Sequence, residues 1–248
     1  MNSNSNYKDF LKSHKTEKGG KEITNTSIKG HFGGNFHIPQ DEYPSFLKLY
    51  YRDVVSKNGD EYLTEKQLET GPIAVDLDFR YDLSVCEKQH NIGFTKSLIL
   101  NYLDIFKEVF QLEENKSIPF YVFEKPQVNQ LHDKKITKDG IHMLIGIHCN
   151  REVQQIIRKK MIEKAKEEFD ELPIINTWED VFDEGITKGT VNWQLYGSKK
   201  PDHKSYSLQY AFEYEYDLED GEAMESKIDL SKFVWERDIC KLSVRYDQ

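Results

Sequence analysis

The residue pattern predicts an α+β protein with a mixed or antiparallel sheet flanked by helices. Three observations carry that prediction. Alternating apolar and polar residues at 72–79 and 138–148 read as half-buried strands, and apolar residues recur at helical spacing over 43–55, 94–110 and 151–170. The two kinds of segment follow one another without strict β-α-β alternation and without an internal repeat. A chain of 248 residues can bury a substantial core.

Residues 1 to about 28 are rich in Lys, Ser, Asn, Thr and Gly, with few large apolar side chains beyond Tyr7, Phe10 and Leu11. They read as a flexible lead-in with a short helix, ahead of one domain over 29–248. HFGGNFHIP (31–39) reads as a strand or hairpin with a Gly-Gly turn. Tyr43, Phe46, Leu47, Tyr50, Tyr51, Val54 and Val55 then mark an amphipathic helix that Asn58-Gly59 ends. After the strand at 72–79 comes a helix over about 94–110, with Phe94, Leu98, Leu103, Phe106 and Phe110 on its apolar positions. IPFYVFE (118–124) is a β-branched and aromatic strand, and KDGIHMLIGIH (138–148) is another. Asn150 is placed to cap a charged helix over 151–170, and strands are predicted at 190–196 and 205–216.

The formal charge of −9 argues against a broadly basic nucleic-acid coat. The acid is uneven, however. Residues 213–225 hold seven acids and no Lys or Arg, which leaves the remainder near neutrality and a local basic groove open. Cys86, Cys149 and Cys240 form no CxxC pair, and the polar start MNSNSN is no signal peptide, so a reducing, intracellular setting is expected. Cys86 with His90, and His148 with Cys149, are partial ligand pairs without a matching second pair, and they read as structural thiols rather than a zinc site. No apolar run approaches the ~20 residues of a membrane span, so a soluble protein with no membrane partner is expected.

Three places could carry chemistry. In PIAVDLDFR (72–80) the strand period puts Ile73, Val75, Leu77 and Phe79 on one face and Asp76 and Asp78 on the other. Like charges so placed repel unless a cation lies between them, and hard oxygen ligands suit Mg²⁺ or Mn²⁺. The alternative is a pair of surface aspartates balanced by Arg80. The second place is Lys138-Asp139-Gly140-Ile141-His142. Here His142 lies opposite the apolar Ile141, Met143, Ile145 and Ile147, Gly140 permits close backbone approach, and Lys138 offers charge to a phosphate. If both strands share one sheet, a histidine and two carboxylates converge. The alternative is a surface histidine at a strand start. The third place is 181–201, where Asp183 follows two apolar residues and Lys199 and Lys200 follow a Tyr-Gly-Ser turn, without Walker A spacing. A solvated basic turn is the alternative there.

Taken in order, apolar-Asp-x-Asp, Lys-x-small-x-His, and apolar-Asp followed by Leu-Tyr and Ser-Lys-Lys resemble the archaeo-eukaryotic primase superfamily. The primase domain of the primase-helicases of nucleocytoplasmic large DNA viruses is the nearest likeness. GGNFHIPQDEYPSFLKLYY, GPIAVDLDFRYD, KDGIH and NWQLYGSKKP all look like segments of that group, and the likeness covers about 30–215. It implies a primase-polymerase catalytic core of RRM-like type and DNA-templated nucleotidyl transfer that makes primers on single-stranded DNA. Asp76, Asp78 and Asp183 would hold two Mg²⁺ or Mn²⁺ ions. His142, Lys138, Gly140, Arg80, Lys199 and Lys200 would bind the nucleoside triphosphate. Arginines that some cellular relatives carry in the third segment stand here as Val191 and Gln194. The likeness also implies a fused or separate replicative helicase, whose ATP-binding loop is missing from these residues. A longer parent chain and a viral replication site in a host cytoplasm are the matching expectations. A metal-dependent nuclease and a non-catalytic single-stranded DNA-binding module are the competing readings.

Overall fold

The computed structural model describes residues 6–17, 19, 22–28, 33–113, 116–217 and 223–246. Residues 1–5, 18, 20, 21, 29 and 30 around the predicted lead-in, His31 and Phe32 of the first predicted strand, and 218–222 of the acidic run lie outside them. In chain order the elements begin with α1 (Tyr7–Ser13), β1 (Lys15–Thr16), β2 (Asn25–Ser27), β3 (Gly34–Phe36), α2 (Tyr43–Asp53) and β4 (Leu63–Glu65). There follow β5 (Thr70–Asp82), α3 (Ile92–Val109), β6 (Ser117–Glu124), β7 (Asn129–Leu131), β8 (Ile136–Asn150) and α4 (Arg151–Glu168). The remainder is α5 (Trp178–Val181), α6 (Glu184–Thr187), β9 (Trp193–Gln194), β10 (Ser207–Tyr216), β11 (Ala223–Lys227) and α7 (Trp235–Asp238). Among the described residues no helix is long and apolar enough to cross a membrane.

The elements form two compact units. The first gathers the residues up to Gly71, Val191–Ser207 and the stretch from Asp229 onward. Its sheet has the order β1-β3-β2-β4-β9, and every pair is antiparallel. In α2, Tyr43, Phe46, Leu47 and Tyr50 fall at i, i+3, i+4 and i+7, and all four are buried. Asn6 caps α1 by accepting the Asp9 N–H, and Tyr7 and Leu11, one turn apart, enter the same core. Asn58 takes the left-handed conformation, φ 52°, which stops the chain after α2 and its 3₁₀ extension as expected of that residue.

A buried acid fastens the late segment of this unit. Burial pushes the Glu65 carboxyl up, while donors to it from Ser243, the Val244 N–H and Tyr43 pull the other way. Oε2 accepts the Ser243 hydroxyl at 2.6 Å and the Tyr43 hydroxyl at 3.0 Å, and Oε1 accepts the Val244 N–H at 3.1 Å. Arg245 donates to the Lys66 carbonyl and stands over the Tyr43 ring.

The second unit comprises Pro72–Thr190 and Leu208–Ile228. Its strands run in the order β11-β10-β6-β8-β5, with β7 paired to β8. The succession β5-α3-β6-β8-α4-β10 is a β-α-β-β-α-β arrangement, and β6 lies antiparallel to β8 with Phe120 opposite Ile145 and Phe123 opposite His142. Both helices cover one face of the sheet. Leu98, Tyr102 and Phe106 of α3 and Ile157, Met161 and Ala165 of α4 share a core with Val75, Leu77 and Phe79 of β5 and Ile141, Met143 and Ile145 of β8. Asn91 and Asn150 cap these helices, accepting the N–H of Phe94 and of Val153. A Cβ on Gly146 would lie 2.5 Å from the Pro119 ring on the neighbouring strand, so only glycine allows β6 and β8 to approach there.

The α+β class and the helix-flanked antiparallel sheets match the expectation. Two sheets replace the single one expected, because the first is built of strands two or three residues long with no room for a periodic signal. For the same reason the strand expected over 190–196 shrinks to Trp193–Gln194.

Asp238 yields a stability test. Its buried carboxylate pairs with Arg237 at 2.7 Å and Lys241 at 3.2 Å and accepts the Val234 N–H at 2.8 Å. Arg237 first, then Val234 and Lys241, hold its pKa down to about 2. The folded value lies below the ordinary one near 4, so this contribution is present above about pH 4 and is lost as pH falls through about 2. Urea unfolding of Asp238→Asn should show a deficit of ~1 kcal/mol at pH 7 that disappears by about pH 2. A deficit unchanged with pH would count against it.

Candidate active site

The pleat of β5 decides which side chains reach the outer face of the second sheet. Ile73, Val75, Leu77, Phe79 and Tyr81 are buried in the core beneath α3 and α4, so Asp76, Asp78 and Arg80 turn the other way and remain half-buried. On β8, the neighbouring strand, the same alternation buries Ile141 and Met143 in that core and leaves Lys138 and His142 on the opposite face. The two strands therefore meet through the residues expected to converge. His142 Nε2 is 3.4 Å from Asp76 Oδ1, Lys138 Nζ is 2.8 Å from Asp78 Oδ2, and Arg80 Nη2 is 3.5 Å from that same oxygen. Two carboxylates thus stand against two cations and an imidazole. Gly140, between Lys138 and His142, is buried, and its N–H donates to Asp139 Oδ1 at 2.9 Å.

Asp183 reaches β5 by its backbone. β5 ends the order of its sheet, and the segment 175–183 runs along that edge. Ile175 donates its N–H to the Arg80 carbonyl, Asn176 bridges the Arg80 N–H and the Asp78 carbonyl, Phe182 bridges Leu77, and the Asp183 N–H reaches the Asp76 carbonyl at 3.0 Å. The Asp183 side chain caps α6, accepting the Ile186 N–H at 2.7 Å. Arg158 of α4 clamps the turn from behind: its guanidinium donates to the Phe182 carbonyl at 2.9 and 2.8 Å and to the Glu179 carbonyl at 2.7 Å. Asp76 and Asp183 line one small pocket together with Tyr102, Gln154, Arg158 and Thr187.

The sequence did not single out Arg158 or Asn176, because both act on backbone carbonyls that only the folded edge brings near. Lys199 and Lys200 belong to the first unit. Lys199 Nζ lies 2.6 Å from Asp60, which raises its pKa, and Lys200 is exposed. Gln194 donates to the Leu63 carbonyl, and Val191 is exposed. Cys86 is exposed, and His90 is buried against Asp139.

The oxygen donors of Asp76, Asp78 and Asp183 suit a hard divalent cation, and Lys138 and Arg80 already beside Asp78 show that this carboxylate draws positive charge. As the side chains stand, however, no three His, Cys, Asp or Glu groups among the described residues are disposed about one point.

Residues 24–212 match the family described as C962R protein N-terminal AEP domain, AEP denoting archaeo-eukaryotic primase. Over 203 residues, 80% of this chain, the sequence is 30% identical to a protein of Acanthamoeba polyphaga mimivirus named "Putative helicase L207/L206". The chain spans about a fifth of that relative's length, the matched part being 20% of it.

Replacing Arg158 by Met keeps the stem and removes the donors. Hydrogen exchange at the Asp183 amide should accelerate at least about tenfold, with a melting temperature lower by about 2–4 °C. Unchanged exchange at Asp183 would show that the clamp does not hold the turn.

Proposed function

The chain belongs to this archaeo-eukaryotic primase family, and from that premise we propose that it performs DNA-templated nucleotidyl transfer, making primers on single-stranded DNA. One observation carries the reading: Asp76 and Asp78 of β5 stand on one face against His142 and Lys138 of β8, and the backbone of Asp183 is tied to Asp76. Asp76, Asp78 and Asp183 are the residues that would hold Mg²⁺ or Mn²⁺. When bound, two such ions supply activation of the attacking hydroxyl and stabilisation of the leaving pyrophosphate.

The remaining work falls to side chains. Lys138 and Arg80, now paired with Asp78, are cations that can turn to the oxygens of a nucleoside triphosphate once that carboxylate is otherwise engaged. His142 is aimed from a buried position, which fixes its direction and makes its hydrogen bond to a phosphate stronger than it would be in water. Lys199 and Lys200 are proposed as further phosphate or template contacts. A replicative helicase, on the same or a partner chain, and viral DNA replication in a host cytoplasm complete the proposal.

The test is product formation on circular single-stranded DNA without primer, using labelled nucleotides with Mg²⁺ or Mn²⁺. The parent should make short products, and Asp76→Asn/Asp78→Asn should lose more than about a hundredfold in rate. Extension only from a pre-annealed primer would replace primase by polymerase. DNA cleavage without nucleotides, or binding without any product, would overturn nucleotidyl transfer.

A further inference from the structure

On the side of β8 away from Lys138 and His142 lies a polar cluster for which the proposed chemistry has no use. The side chains of His90 and Asp139 are both fully buried, and His90 Nε2 stands 3.0 Å from Asp139 Oδ2. Because a carboxylate only accepts, Nε2 carries the proton. The other oxygen of Asp139 accepts the N–H of Gly140 at 2.9 Å. His90 Nδ1 faces Glu124 Oε1 at 3.9 Å, beyond hydrogen-bond range, while Glu124 Oε2 takes Lys88 at 2.6 Å. The Tyr81 hydroxyl, the Thr137 hydroxyl and His90 Nδ1 are buried and have no hydrogen-bond partner among the described residues. Burial, and then the charge of Asp139, push the Tyr81 phenol up, so it stays neutral beside the acid.

As a stabilising device this cluster is poor. A fully buried carboxylate is costly to desolvate, and the buried polar atoms of Tyr81, Thr137 and His90 Nδ1 go unpaired among the described residues. Its local effect is specific. Asp139 fixes the peptide group of Gly140, midway between Lys138 and His142, and His90 fixes the rotamer of Asp139. The ring of His90 is itself gripped by Phe79 and Phe94, with centroids 5.7 and 6.0 Å away.

We propose that His90 and Asp139 are positioning residues that set the aim of Lys138 and His142 at the phosphates of the incoming nucleotide. This inference rests on the function proposed above. The aromatic surroundings of His90 admit His90→Phe without the donor, whereas His90→Gln returns an amide N–H near the place of Nε2. Each variant is titrated with methylanthraniloyl-ATP in Mg²⁺ and assayed for primer synthesis. His90→Phe should weaken nucleotide binding and raise KM about tenfold, with kcat at saturation within about threefold of the parent. His90→Gln should recover most of that loss.

Parent-like binding by His90→Phe would overturn the proposal. Equal losses in both variants, tracking a lower melting temperature, would reduce the pair to a structural role and overturn it as well. A parent that binds no nucleotide, with Lys138→Ala and His142→Ala indistinguishable from it, would instead bring down the proposed function and the pair's role together.

Discussion

The two-residue period of β5 is the constraint on which the second unit depends. Its odd-numbered residues from Ile73 to Tyr81 fill the space under α3 and α4, so the even-numbered ones have no choice of side. A slip of one residue would drive Asp76, Asp78 and Arg80 into a core with no partner for them, at a cost of several kcal/mol for each charge. The hydrophobic effect thus fixes the direction of the two carboxylates more firmly than any contact they make themselves.

The second consequence concerns the edge. A strand at the end of a sheet leaves one side of its backbone unpaired, and that side must be covered or it will recruit another chain. Here the cover is 175–183, which pays no regular ladder but meets the free groups of Leu77, Asp78 and Arg80 one by one. The covering segment delivers Asp183. Edge protection and the tie between the Asp183 and Asp76 backbones are one structural act, with Arg158 holding the far side of the turn.

Much of this was legible in the sequence. The long strands β5, β6 and β8 and the helices α2, α3 and α4 announce themselves because burial on one face imposes a period, and Asn150 sits where a helix needs a cap. The meeting of Asp76 and Asp78 with His142 and Lys138 followed from two alternations and the guess of a shared sheet. What stayed hidden depends on tertiary context. Arg158 and Asn176 bind carbonyls in other segments, Asp139 looks like one more charged residue beside Lys138, and β1, β2 and β9 are too short to carry a pattern. Lys199 was readable as a cation, but its acid partner, Asp60, was not.

The carboxylate of Glu65 marks a difference between ancestry and architecture. The family match ends at residue 212, yet the donors that satisfy this buried acid come from Ser243 and Val244, and the helix that opens its unit begins at Tyr7. A protein trimmed to its homologous boundaries would keep every motif and leave an acid sealed in the interior without two of its donors. The stretch that the family match covers is therefore shorter than the unit that holds this acid.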